Sequence, residues 1–148
     1  MNNSLIEIKT TNKLDENIIT FLTEQSYHLY CKLKTRIFEE KTMNKIKDEF
    51  KKMYISSFNE NDKIYIASIS SKIVGCAYVT DTGYLRDMFV SADFQKQNIG
   101  SRILEKLISD FLEKEIVLDA HNDVIEFYKK YNFIVTKQNG EIFKMKRL

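Results

Sequence analysis

The residues predict a mixed α/β layer with an antiparallel front half, a βαβ-like centre and flanking helices. Three observations carry that expectation. Apolar residues recur at helical spacing early in the chain, then give way to β-branched and aromatic runs near residue 63. The short polar stretches "SSK" and "DTG" separate three such runs, as turns between neighbouring strands would. From Ile99 onward, helix-periodic and strand-like segments alternate.

Each element follows in order. "SLIEIKT" reads as a short first strand. Leu14, Ile18, Phe21, Leu22 and Leu29 place a helix from Leu14 to about Cys31, and a second runs from about Glu39 to Met53. "KIYIASI", "KIVGCAYVT" and "YLRDMFV" form a three-stranded meander. Ile99, Ile103, Leu104, Leu107, Ile108 and Phe111 mark a third helix. A strand "EIVLDA", a helix "DVIEFYKKY" and the strands "NFIVTKQ" and "EIFKMKRL" complete the order β-α-α-β-β-β-α-β-α-β-β.

With 148 residues and no linker, repeat or low-complexity tract, a single domain over residues 1–148 is expected. A composition 43% hydrophobic and 30% charged is that of a soluble globular chain, and no apolar run approaches the ~18 residues that span a membrane. The start, "MNNSLIEIKTTNKLDE", has neither a basic nor an apolar leader region, so the cytoplasm is the expected compartment. A net charge of +2 from interspersed basic and acidic residues argues against a nucleic-acid-binding face. The most basic stretch, "KTMNKIKDEFKK", carries Met43, Ile46, Phe50 and Met53 at helical spacing, so its lysines form a solvated face. Cys31 and Cys76 are too few and too far apart for a disulfide framework or a CxxC site. His28 and Cys31 supply only two ligands, and no metal is expected. Cys76, in an apolar strand, reads as a buried small hydrophobe.

The most informative stretch is "VSADFQKQNIGSRILEKLISDF". A strand that passes through a short polar loop into a helix aims unpaired backbone N–H groups, and the positive end of the helix dipole, at an anion. Gly100 leaves room for close approach, Ser101 and its neighbouring amides can donate, and Gln95, Lys96 and Gln97 add polar and cationic reach. A diphosphate fits these features, and so does plain helix capping. Neither nucleotide-loop pattern, GxxxxGK[ST] or GxGxxG, is present.

"FVSADFQKQNIGSRILEKL" resembles the acyl-CoA motif of the GNAT superfamily of N-acetyltransferases, Gln/Arg-x-x-Gly-x-Gly/Ala after a strand ending in Val. Val90, Gln95, Gly100 and Ser101 match, while Asn98 replaces the first glycine. Asn tolerates the left-handed backbone better than other residues with a Cβ, so the loop can keep its shape. "LDAHNDVIEFYKKYNFIV" resembles the family's second CoA-side segment through Phe127, Tyr128 and Phe133, with Asn132 replacing a glycine. Where the family often has Asn, seven residues before the Tyr, this chain has His121, and Asn122 stands one place later.

The resemblance implies a GNAT-like mixed sheet with splayed central strands, and acetyl transfer from acetyl-CoA to a primary amine by direct attack on the thioester. It implies that Phe89 and Val90 contact the pantetheine arm, that Gln95, Lys96, Gln97, Asn98, Ile99, Gly100 and Ser101 hold the diphosphate, and that His121 or Asn122 contacts pantetheine. Tyr128 matches the family's thiolate-protonating position. The strand position that carries a Glu base in some members is Arg86 here; Asp87 is the nearest carboxylate, with Tyr84 and a water as a rival. Tyr27, Tyr30 and Phe38 are expected to line the acceptor pocket, with Glu39 and Glu40 attracting a cation. The acceptor is a small amine or polyamine, an amino acid, an aminoglycoside-like compound or a peptide N-terminus, and a homodimer is left open. A catalytically idle acetyl-CoA sensor or partner-binding module on the same fold is the alternative reading.

Overall fold

The computed structural model describes residues 5–147, so residues 1–4 of the expected leaderless start, including Ser4 of the first strand, and the final Leu148 lie outside the described residues. Within that span the elements are β1 (Ile6–Thr11), α1 (Glu16–Lys34), α2 (Glu40–Ser57), β2 (Lys63–Ile69), β3 (Lys72–Val79), β4 (Tyr84–Val90), α3 (Ile99–Asp110), β5 (Ile116–His121), α4 (Ile125–Lys129), β6 (Ile134–Asn139) and β7 (Ile142–Arg147). The mixed α/β class and the element order are those expected from the sequence. The helices α1, α2 and α4 differ in extent, and α2 continues past Met53 to Ser57. Asp15 caps α1 by accepting from the Ile18 amide at 2.9 Å, and the helix continues past Cys31 to a left-handed Thr35. The helix expected over "DVIEFYKKY" is a 3-10 turn over Asn122–Val124 followed by the short α4, which a left-handed Asn132 ends soon afterwards.

The seven strands form one sheet in the order β1-β2-β3-β4-β5-β7-β6. Ser70 and Ser71, both at positive φ, make the tight turn between β2 and β3. β7 folds back between β5 and β6, which leaves β6 on the edge. Among the described residues the only parallel neighbours are β4 and β5, and they pair at just two positions, Tyr84↔Val117 and Leu85↔Leu118. Gly83 sets that closed end. It sits at φ +93°, and the Val117 amide donates to its carbonyl at 2.9 Å. Beyond Leu85 the two strands are no longer paired.

A second irregularity lies on the other side of β4. Tyr78 pairs with Asp87 and Val79 with Leu85, so Arg86 is an extra residue with no partner on β3. Such a bulge re-aims side chains beside it. One face of the sheet carries α3, whose Ile99, Ile103, Leu104 and Leu107 pack with Val74, Val79 and Leu85 in the larger core. The opposite face carries α1 and α2, where Ile18, Leu22 and Tyr54 pack with Ile64, Cys76 and Tyr78. Cys76 is a buried free thiol. Among the described residues no helix is long and apolar enough to cross a membrane.

Candidate active site

The parted strands open a cleft of about 690 Å³, a size that suits an organic ligand. Its walls are β4 from Leu85 to Val90, the end of β5 from Leu118 to His121, Tyr128 of α4, and one face of α1. Asp87 of β4 and Tyr128 of α4 therefore face one space.

Asp87 is held from the α1–α2 side. The Tyr54 hydroxyl donates to Asp87 Oδ2 at 2.9 Å and shares a second hydrogen bond with Ser26 Oγ at 2.8 Å. Burial pushes the Asp87 carboxyl above the usual carboxylate range, against the Tyr54 hydrogen bond and the Arg86 charge, which both pull it down. Arg86 makes no ion pair with it among the described residues. Its guanidinium donates to Ser57 Oγ at 2.9 Å and lies 4.8 Å from the Tyr78 ring. Tyr84, the rival considered for the base, donates to Asp119 Oδ2 at 3.0 Å and borders a second depression instead.

Tyr128 is buried, its ring packed edge-on against Phe127 and Phe133. Among the described residues its hydroxyl finds only the weak acceptor Met88 Sδ at 3.7 Å. Burial, then the nearby Asp87 charge, pushes this phenol up to about 12. It keeps its proton over the physiological range and is a standing donor in the cleft.

The loop into α3 takes two left-handed turns, at Lys96 (φ 66°) and Asn98 (φ 62°). The Asn for Gly exchange thus falls on a backbone that Gly would favour. Gln95 Nε2 donates back to the Val90 carbonyl at 3.2 Å, and Gln97 Oε1 is buried with no protein partner. The Asn98 side chain makes no capping bond, and no acidic residue lies in the first turn of α3. The amides of Ile99, Gly100 and Ser101 lie in that first turn, so they have no intrahelical acceptors. A Cβ at Gly100 would make ordinary contacts at 3.6–3.9 Å with Phe127, Val90 and Met88. Val90 and Gln95 line the cleft, whereas Lys96 and Asn98 are exposed beside it.

Of the pair at the end of β5, His121 lines the cleft and Asn122 does not. His121 Nε2 lies 3.1 Å from Glu141 Oε2 and its Nδ1 3.4 Å from Asp123 Oδ2. Tyr27, Tyr30 and Phe38 do not border the cleft. They form an aromatic cluster between α1 and α2, with Tyr30 stacked on Phe38 at 5.8 Å and edge-on to Phe50 at 6.1 Å. The resemblance implied that the first two helices and their connection wall the acceptor site; here these three rings pack against one another instead. The α1 residues that do border the cleft are Gln25, His28, Leu29, Lys32 and Leu33. Sequence reasoning also missed Ser26 and Tyr54. Each carries a polar tip on an apolar helix face, which was the available signal.

Known structures share this architecture. PaiA N-acetyltransferase from Thermoplasma acidophilum, solved in complex with coenzyme A, is 19% identical with a TM-score of 0.67, over 96% of this chain and 98% of that one. Arabidopsis thaliana Naa50, solved with the bisubstrate analogue CoA-Ac-MVNAL, is 16% identical with a TM-score of 0.64, over 97% and 99%. The fold is therefore that of N-acetyltransferases.

The family itself follows from the sequence match. A model described as "Acetyltransferase (GNAT) domain" matches residues 13–144, and the chain belongs to the GNAT acetyltransferase family. Its curated relatives include the uncharacterized N-acetyltransferase ycf52 of Pyropia yezoensis, 35% identical over 101 residues, which are 60% of this chain and 57% of that protein. The ycf52 protein of Porphyra purpurea is 34% identical over 87 residues, 54% and 47% of the two chains. The match thus spans about half the length of these relatives.

Proposed function

We propose that this domain transfers an acetyl group from acetyl-CoA to a primary amine by direct attack, in the cleft between β4 and β5. The observation that carries the reading is the meeting of a carboxylate, Asp87, and a protonated phenol, Tyr128, in a cleft made by two parted parallel strands. The donor set at its mouth suits a diphosphate: free first-turn amides of α3, the nearby Lys96 and Ser101, and no competing carboxylate in that turn. Backbone groups of β4 beyond Leu85 have no partner on β5 and are available to an extended pantetheine arm. Acetyl-CoA, when bound, supplies the acetyl group as an activated thioester.

The chain's own residues then deal with protons. An alkylamine with a pKa near 10.4 is neutral in only roughly one molecule per thousand at neutral pH, so a proton must leave before attack. Asp87 accepts it, directly or through water, and its upward shift makes it a stronger base than an exposed carboxylate. Tyr128 plays the complementary part. A phenol near 12 is a weaker acid than a thiol near ~8.5, so it stabilises a thiolate by donating a hydrogen bond rather than by full proton transfer. The acceptor approaches along α1 between His28, Lys32 and the exposed Leu29 and Leu33. A small amine and a peptide N-terminus both suit this wall, and the peptide-like analogue on the Naa50 fold adds weight to the second. Two free thiols suit a reducing compartment such as the cytoplasm.

A thiol-release assay with acetyl-CoA and a panel of primary amines and peptides tests the reading. Amine-dependent CoA release is expected. CoA binding without release against any amine would instead support the idle sensor on the same fold.

A further inference from the structure

The buried chain Ser26–Tyr54–Asp87 joins three elements that are far apart in sequence: α1, α2 and β4. Tyr54 is wholly buried, so its hydroxyl has no water to satisfy it, and it spends its proton on the one carboxylate that borders the cleft from β4. No other protein donor reaches Asp87 among the described residues, and its Oδ1 is not among the fully buried, unpartnered atoms. One oxygen is therefore tied to the core while the other is left to the cleft. We propose that Tyr54, oriented by Ser26, is a positioning residue that fixes Asp87 with Oδ1 presented to the acceptor amine.

This inference rests on the reading of Asp87 as the base. The step it serves breaks one N–H bond of the acceptor ammonium and forms one O–H bond on Asp87 Oδ1; the nitrogen keeps the electron pair with which it attacks. No oxidation or reduction is involved. Without Tyr54 the carboxylate would lose its donor and be free to turn about its χ angles, which costs alignment in the reaction.

The groups that face Asp87 leave its titration readable. They are Tyr54 from α2, Cys76 from β3, Arg86 and Tyr84 from β4, and Tyr128 from α4, with Ser26 of α1 behind Tyr54. Burial raises Tyr54, Cys76, Tyr84 and Tyr128 above their ordinary values, so none of these four titrates on the acid side. His28 and His121 border the same cleft.

The experiment compares pH profiles of kcat/KM for the wild type, Tyr54→Phe, Ser26→Ala and Asp87→Asn, with a CoA thermal shift for each. Tyr54→Phe removes a hydrogen bond to the charged form, so its acid limb should move to higher pH, with a loss of roughly tenfold near neutrality. Ser26→Ala should move the limb less, in the same direction. The CoA shift should be unchanged in both, which a general loss of structure would not leave intact. Should Tyr54→Phe melt too early to assay, Ser26→Ala carries the same comparison. A limb in Tyr54→Phe, or in Ser26→Ala if that variant stands in, coincident with that of the wild type overturns the positioning role. If Asp87→Asn keeps the wild-type rate and limb, the base assignment itself fails, and this inference with it. A lost limb in Asp87→Asn with an unmoved limb in Tyr54→Phe sinks the inference alone.

Discussion

A Cβ built on Gly83 would stand 2.2 Å from the carbonyl oxygen of Glu115, which marks how closely the turn before β4 approaches the start of β5. The strands are held together there and part beyond Leu85, so the cleft depends on that contact. Gly83→Ala combines the clash with a positive φ, and should destabilise the protein by about 2–4 kcal/mol. Denaturant unfolding checks this. An unchanged midpoint would mean that the turn can shift freely and does not fix the split.

Neither residue of the turn between β2 and β3 lines the cleft, so the turn serves as a control. Ser70 and Ser71 both hold positive φ, which Asn-Gly adopts with less strain. Ser70→Asn combined with Ser71→Gly should stabilise the protein by roughly 1 kcal/mol without altering turnover. A fall in melting temperature would contradict the turn geometry.

At the α3 loop, Asn98→Gly should be neutral or stabilising, because φ is already left-handed there, while Asn98→Val should cost about 1–2 kcal/mol. Gly100 separates packing from charge. A Cβ meets only ordinary contacts, so Gly100→Ala should fold normally. Gly100→Asp adds a negative charge at the start of α3 and should abolish the CoA thermal shift. A normal shift in Gly100→Asp would remove the diphosphate from this loop.

Much of the fold was legible because polar turns delimit its strands. β2 and β4 fall on the quoted runs "KIYIASI" and "YLRDMFV". The position of β7 between β5 and β6 was not legible, since local periodicity carries no strand order. The bulge at Arg86 was equally hidden, because it appears only when β4 is laid against β3. In the site, Tyr128 could be named from a motif and Asp87 as the carboxylate nearest a motif position, but Tyr54 reaches Asp87 across 33 residues of sequence. Tyr27, Tyr30 and Phe38 show the converse: aromatic residues near a site in sequence can pack on one another rather than on the cleft.

Asp87 should leave a signature in stability as well as in rate. Its folded-state pKa is raised, so in the window above the ordinary carboxylate value of ~3.9 the native state binds more protons than the unfolded one. Stability from this group is then present below that value and lost as pH rises through the folded-state pKa. Asp87→Asn, whose amide oxygen can still accept from Tyr54, should gain stability relative to the wild type near neutrality, and the gain should shrink on acidification. Melting curves across that range check it; a gain that grows on acidification would mean the carboxylate is stabilised by its partners.

Tyr128→Phe should fold with near-wild-type stability, since the hydroxyl's only partner among the described residues is a thioether. CoA binding should be kept and turnover should fall by roughly tenfold or more. With its pKa near 12, the phenol should contribute no alkaline limb below about pH 11. Equal losses in binding and turnover would make the hydroxyl structural.

The most direct measurement is CoA release from acetyl-CoA by the wild type and by Asp87→Asn, with and without a primary amine. Release that requires the amine, and that Asp87→Asn loses most at low pH and regains as pH approaches the amine's own ~10.4, is the expected result. Undiminished release by Asp87→Asn at every pH, or no amine-dependent release by a wild-type protein that binds CoA, would contradict amine acetylation in the β4–β5 cleft with Asp87 as its base.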